Sequence, residues 1–144
     1  MPRSPTQIAL SQAEHHSPSE HALARAGAPV DDDSQRTAVA AARAALEKKA
    51  GEVVVLDLRG VSGYTDFLVI GSGGSDRQLE AIAESVEKEL TMLGHRVIGS
   101  EGQRGGRWVL LDFGDVVVHV FHSEERAHYD LEGLWADAPR IDVE

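Results

Sequence analysis

The chain has 144 residues, the length of one average domain, with 42% hydrophobic and 26% charged residues, a globular composition. Its formal net charge is −10, from 14 basic against 24 acidic residues, which argues against direct binding to duplex or ribosomal RNA through phosphate neutralisation. The absence of cysteine excludes disulfides, thiolate metal sites and a Cys nucleophile, and no apolar run approaches the roughly 20 residues of a membrane span, so a soluble cytoplasmic protein is expected.

Residues 1–33 hold four of the five prolines and three of the seven histidines, with Ile8 and Leu10 as the only apolar pair longer than alanine. Such a stretch cannot bury enough surface to offset its ordering entropy, and it is expected to be a disordered tail. One folded domain is then expected over 34–136, with a frayed end at 137–144. Gln35 to Ala50 is alanine-rich and reads as a helix ended by Gly51. Val53 to Leu58 reads as a buried strand, and Phe67 to Ile70 as a second, stopped by Gly71-Ser72-Gly73-Gly74. Ser75 with Gln78 forms a capping box for a helix whose apolar stripe is Leu79, Ile82, Ala83, Val86, Leu90 and Leu93, closed by Gly94. His95 to Ile98 reads as a third strand, Gly99 to Gly106 as a loop, and Trp108–Leu111 with Val116–Phe121 as a hairpin around Asp112-Phe113-Gly114-Asp115. A last helix begins at Ser123 as its cap. The fold class expected is α/β (α+β), a single domain with a mixed five-stranded sheet covered by helices.

Several patterns carry possible chemistry. The Gly71–Ser75 loop sits where backbone amides cradle a phosphate, but it lacks the lysine of a P-loop and completes no G-x-G-x-x-G, so a tight structural turn is the better reading. Asp112 and Asp115 read as turn residues rather than as a pair holding Mg²⁺. Strand alternation puts Asp115, Val117, His119 and Phe121 on one face and His122 on the other, so a single partly buried histidine, hydrogen-bonded within the fold, is expected rather than a ligand. No metal or cofactor is expected. On a helical wheel of the final helix, Ala127, Leu131, Leu134 and Trp135 make a buried stripe, while Glu125, Tyr129 and Glu132 cluster on the opposite, exposed side. A tyrosine between carboxylates suits docking to a basic partner. Trp108 is equally compatible with a core place and with an interface anchor.

Three segments carry a resemblance: Tyr64 to Gly73 with Arg77, Trp108 to Phe121, and Glu124-Glu125-Arg126 leading to Tyr129-Asp130-Leu131-Glu132 and Leu134-Trp135. Together they resemble the ribosomal silencing factor (Iojap-like) family across about residues 37–135. The resemblance implies a nucleotidyltransferase-like topology without catalytic carboxylates, a homodimer and a non-enzymatic role. It implies binding to the large ribosomal subunit through that subunit's basic protein fourteen, with little direct RNA contact. Joining of the small subunit would be blocked and translation repressed when nutrients are scarce. By position it implies Trp108, Tyr129 and Glu132 as partner contacts, with Glu125 and Arg126 beside them. Two other readings remain: a Mg²⁺-dependent nucleotidyltransferase-like enzyme using the glycine loop, and a dimeric adaptor for another basic protein.

Overall fold

A computed structural model describes residues 33–61, 63–102 and 107–143. The expected N-terminal tail up to residue 32, its histidines, and the centre of the glycine loop at 103–106 lie outside the described residues. In chain order the elements are α1 (Asp33–Glu47), β1 (Gly51–Asp57), β2 (Phe67–Gly73), α2 (Asp76–Met92), β3 (Gly99–Glu101), β4 (Trp108–Asp112), β5 (Val116–His122), α3 (Ser123–Tyr129), α4 (Leu131–Leu134) and β6 (Arg140–Ile141). The domain is α+β, built on one mixed sheet in the order β3-β4-β5-β2-β1-β6. Only β2 and β5 run parallel; the other neighbouring strands are antiparallel.

Strand alternation splits the core into two clusters. Phe67 and Val69 of β2, Val109 and Leu111 of β4, and Val116, Val118 and Val120 of β5 face α1 and α2. Leu68, Ile70, Trp108, Leu110, Val117 and Phe121 face the other way, beneath Leu131 and Trp135. Alanine is what lets α1 lie close: Ala38, Ala41, Ala42, Ala44 and Ala45 are all buried against β1, β2 and α2. The α2 stripe is buried as its spacing predicts at Leu79, Ile82, Ala83, Val86 and Leu90, whereas Leu93 is exposed at the cap. Gly94, with φ +92°, follows that cap as expected.

The structure corrects several sequence expectations. Among the described residues the sheet has six strands, not five. The sixth, Arg140–Ile141, pairs with the outer edge of β1, and the Asp57 amide donates to Pro139 O at 2.8 Å. Of the fraying expected at 137–144, the described part, 137–143, is ordered instead: β1 would otherwise leave an open row of donors and acceptors, and Ala138 is buried beneath the second face. The third strand lies at Gly99–Glu101 rather than His95–Ile98, because pairing to β4 begins only where the Ile98 amide meets Asp112 O. A Cβ at Gly102 (φ +79°) would collide with the Trp108 carbonyl oxygen, so glycine is what lets the chain leave β3 beside β4. Helix α1 ends at Glu47 and not at Gly51: the left-handed residue that closes it is Lys49 (φ 63°), with the Ala50 amide reaching back to Ala45 O.

Candidate functional site

The β4–β5 hairpin places Trp108 opposite Phe121, with ring centroids 4.4 Å apart. Trp108 is 7% exposed, so of its two possible places the core is the one its ring occupies. Its indole Nε1 donates to His119 Nδ1 at 2.8 Å. An indole N–H can only donate, so Nδ1 carries the lone pair and the neutral imidazole holds its proton on Nε2, 3.3 Å from the Tyr64 hydroxyl. His119 is fully buried, and burial pushes its pKa down to about 3. Burial, with help from the charges of Asp112 and Glu101, raises the pKa of Tyr64. The internally hydrogen-bonded histidine expected is found, but fully rather than partly buried.

Beyond β5 a single helical wheel breaks down. The N-cap of α3 is His122 rather than Ser123, whose hydroxyl donates instead to Gly73 O at 3.0 Å. Asp130 is left-handed (φ 42°); it closes α3 and opens α4, with its side chain accepting from the Gly133 amide. A Cβ at Gly133 would meet the Asp130 carboxylate and push it from the Gly133 amide. The phase of the wheel resets at Asp130. Leu131 and Trp135 are buried as expected, but Leu134 is half-buried and Ala127 is exposed. Glu125, Tyr129 and Glu132, expected on an exposed face, are all half-buried.

Arg126 takes the buried place instead, with its side chain 6% exposed. Its Nε donates to Glu132 Oε1 at 2.9 Å, and its Nη1 donates to Gly51 O at 3.1 Å and to Ser72 Oγ at 3.2 Å. The Gly51 carbonyl is available because β1 shifts register between Gly51 and Val54, where Glu52 has φ 47°. Nothing in the local sequence marks Arg126 as buried, since its partners sit 75 and 54 residues away. Tyr129 packs on the β4–β5 hairpin, its ring 4.8 Å from Trp108, with His128 4.9 Å away on its own helix. Arg107 spans the adjacent acids, with Nε 3.1 Å from Glu125 Oε1 and Nη2 3.1 Å from Glu124 Oε2. Four of the five expected contact residues thus form two pairs: Trp108 supports Tyr129, and Arg126 holds Glu132. The fifth, Glu125, is held by Arg107.

The glycine loop is occupied by the chain itself. The Gly74 amide donates to Gln78 Oε1 at 2.8 Å and the Gln78 amide to Ser75 Oγ at 3.1 Å. Only half of the expected capping box forms, because the Gln78 carboxamide bridges from Gly74 to the carbonyls of Lys48 and Lys49 rather than to Ser75. Asp112 Oδ1 accepts from the Gly114 amide in the β4–β5 turn, as a turn residue does. Among the described residues no group of three or more histidines and carboxylates is placed to hold a metal ion. No helix among them is long and apolar enough to cross a membrane.

Residues 31–144 match the family model described as "Ribosomal silencing factor during starvation". The chain belongs to the ribosomal silencing factor family. A ribosomal silencing factor of Halalkalibacterium halodurans is 47% identical over 104 residues, covering 72% of this chain and 89% of that protein. A crystal structure of a Chromobacterium violaceum protein superposes with a TM-score of 0.70 at 36% identity, covering 72% of this chain and 87% of the other. A more distant relative in Mus musculus, 34% identical over 92 residues (62% of this chain, 40% of that protein), is named "Mitochondrial assembly of ribosomal large subunit protein 1". The family match spans the β4–β5 hairpin, α3 and α4, so the whole Trp108–Tyr129–Arg126 arrangement lies within the silencing-factor domain.

Proposed function

We propose that this silencing factor docks on the large ribosomal subunit through that subunit's basic protein fourteen and sterically blocks joining of the small subunit. The observation that carries the reading is Tyr129: half-buried on Trp108 and flanked by carboxylates, it is a rigid aromatic anchor on an acidic surface. A net charge of −10 favours a basic protein over bare RNA as the ligand. The mouse relative's name ties a member of this family to the large subunit. In this reading the protein works in the cytoplasm as a homodimer, with little RNA contact and no turnover, lowering translation when nutrients are scarce. Trp108 acts from beneath, by fixing Tyr129, and Arg126 by fixing Glu132.

The test is sucrose-gradient analysis of subunit joining with added protein, beside the affinity of purified large subunits for the wild type and for Tyr129→Ala. The wild type should deplete joined ribosomes, and loss of the ring should weaken binding at least tenfold, the usual scale of a packed aromatic anchor. Undisturbed joining at saturating protein, or equal potency of Tyr129→Ala, would overturn the proposal.

A further inference from the structure

Three carboxylates of α3 and α4 are already paired with the chain's own arginines. Glu132 is held by Arg126, and Glu124 and Glu125 are both held by Arg107. The two arginines differ in whether they can leave. Arg126 is buried and also serves Gly51 O and Ser72 Oγ, so withdrawing it from Glu132 would strand a charge in the interior. Arg107 is 47% exposed, and the only side-chain partners found for it among the described residues are the two glutamates. Its backbone is anchored where α3 begins, with the His122 amide donating to Arg107 O at 2.7 Å. The side chain can therefore swing into water while the hairpin stays in place.

We propose that Arg107 is an internal competitor of the basic partner, covering Glu124 and Glu125 in the free protein and displaced from them when the partner docks beside Tyr129. This rests on the docking reading above. One guanidinium meets two carboxylates through Nε and Nη2, a planar pair of donors that an arginine of the partner reproduces more closely than a lysine ammonium, which is a compact point charge. The paired carboxylates therefore favour a partner that presents an arginine at this point, and Arg107 lowers that partner's affinity by the fraction of time it covers them.

The experiment measures affinity for purified large subunits, and separately for hexa-arginine and hexa-lysine peptides, in the wild type, Arg107→Gln, Glu124→Gln/Glu125→Gln and the triple variant. Removing the competitor should tighten large-subunit binding about two- to fivefold, the scale of an exposed ion pair. The double glutamine variant should bind more weakly, and adding Arg107→Gln to it should change nothing. An Arg107→Gln affinity equal to the wild type overturns the competitor role, and a weaker one shows Arg107 touching the subunit itself. If the wild type fails to bind the large subunit at all, the docking reading falls. The competitor is then judged on the peptides, where the wild type should prefer hexa-arginine and Arg107→Gln should tighten binding of both peptides by a similar factor, and an absent gain overturns it.

Discussion

Beneath α1 and α2 the sheet presents Val55, Val69, Val109, Leu111, Val118 and Val120, with Phe67 the single aromatic, against alanines and the α2 stripe. Beneath α3 and α4 it presents Trp108, Phe121, Leu110 and Val117 against Trp135, Leu131 and Tyr129, with His119 and Arg126 bonded inside the same layer. The first face is held by non-directional burial, for which summed volume matters more than any one contact. The second is held by aromatic geometry and directed hydrogen bonds, which specify one arrangement. The difference teaches where function can sit. A partner needs a surface whose side chains keep fixed positions, and the hydrogen-bonded face supplies Tyr129 on a base that cannot repack freely.

The sharpest way to separate the faces is to damage the first alone. Leu90 is fully buried under α2, and Leu90→Ala should lower unfolding free energy by about 2–5 kcal/mol in urea titrations. Large-subunit affinity of the folded variant should stay within twofold of the wild type. A loss as large as that of Tyr129→Ala would mean that the two faces are coupled through the sheet and that the comparison fails.

A smaller effect lies on the second face. With its folded pKa near 3 against an ordinary value of 6.5, His119 binds fewer protons folded than unfolded throughout that window. Its contribution to stability is therefore complete above about pH 6.5 and is lost as pH falls toward 3, at up to about 1.4 kcal/mol per pH unit. Between pH 7 and pH 5 that amounts to about 2 kcal/mol. His119→Gln keeps an acceptor for the Trp108 indole and removes the titration, so its urea midpoint should shift less over the same interval. Identical pH dependence in the two proteins would place the acid sensitivity elsewhere.

The same contrast explains what could be read in advance. The Leu79–Leu90 stripe and the α1 alanines are periodic, so local spacing alone gives their buried side, and the β4–β5 hairpin follows from two apolar runs about one turn. The family resemblance pointed to Trp108, Tyr129 and Glu132, but not to how they connect. Arg126 was illegible as a buried clamp because its acceptors, Gly51 O and Ser72 Oγ, come from strands remote in sequence. The helical wheel failed at one residue, since Asp130 adopts a left-handed conformation that a periodicity argument does not contain. The sixth strand was hidden by its two-residue length and by the preceding Pro139, and only the open edge of β1 explains it.

Two left-handed residues, one beneath each face, give the finest test of the comparison. Lys49 (φ 63°) closes α1 with an exposed side chain, so it bears the strain of that conformation for no recorded side-chain bond. Asp130 (φ 42°) bears less, because aspartate tolerates the region, and its carboxylate accepts from the Gly133 amide. Lys49→Gly should therefore stabilise the protein by about 0.5–1 kcal/mol once the greater freedom of glycine in the unfolded chain is subtracted from the relieved strain. Asp130→Gly should yield nothing or cost a few tenths of a kcal/mol, since relief and a lost cap nearly cancel. Thermal midpoints measured side by side decide it. Equal stabilisation by both glycines would show that the Asp130 carboxylate contributes nothing to the junction, and that the second face is held by apolar contact as the first one is.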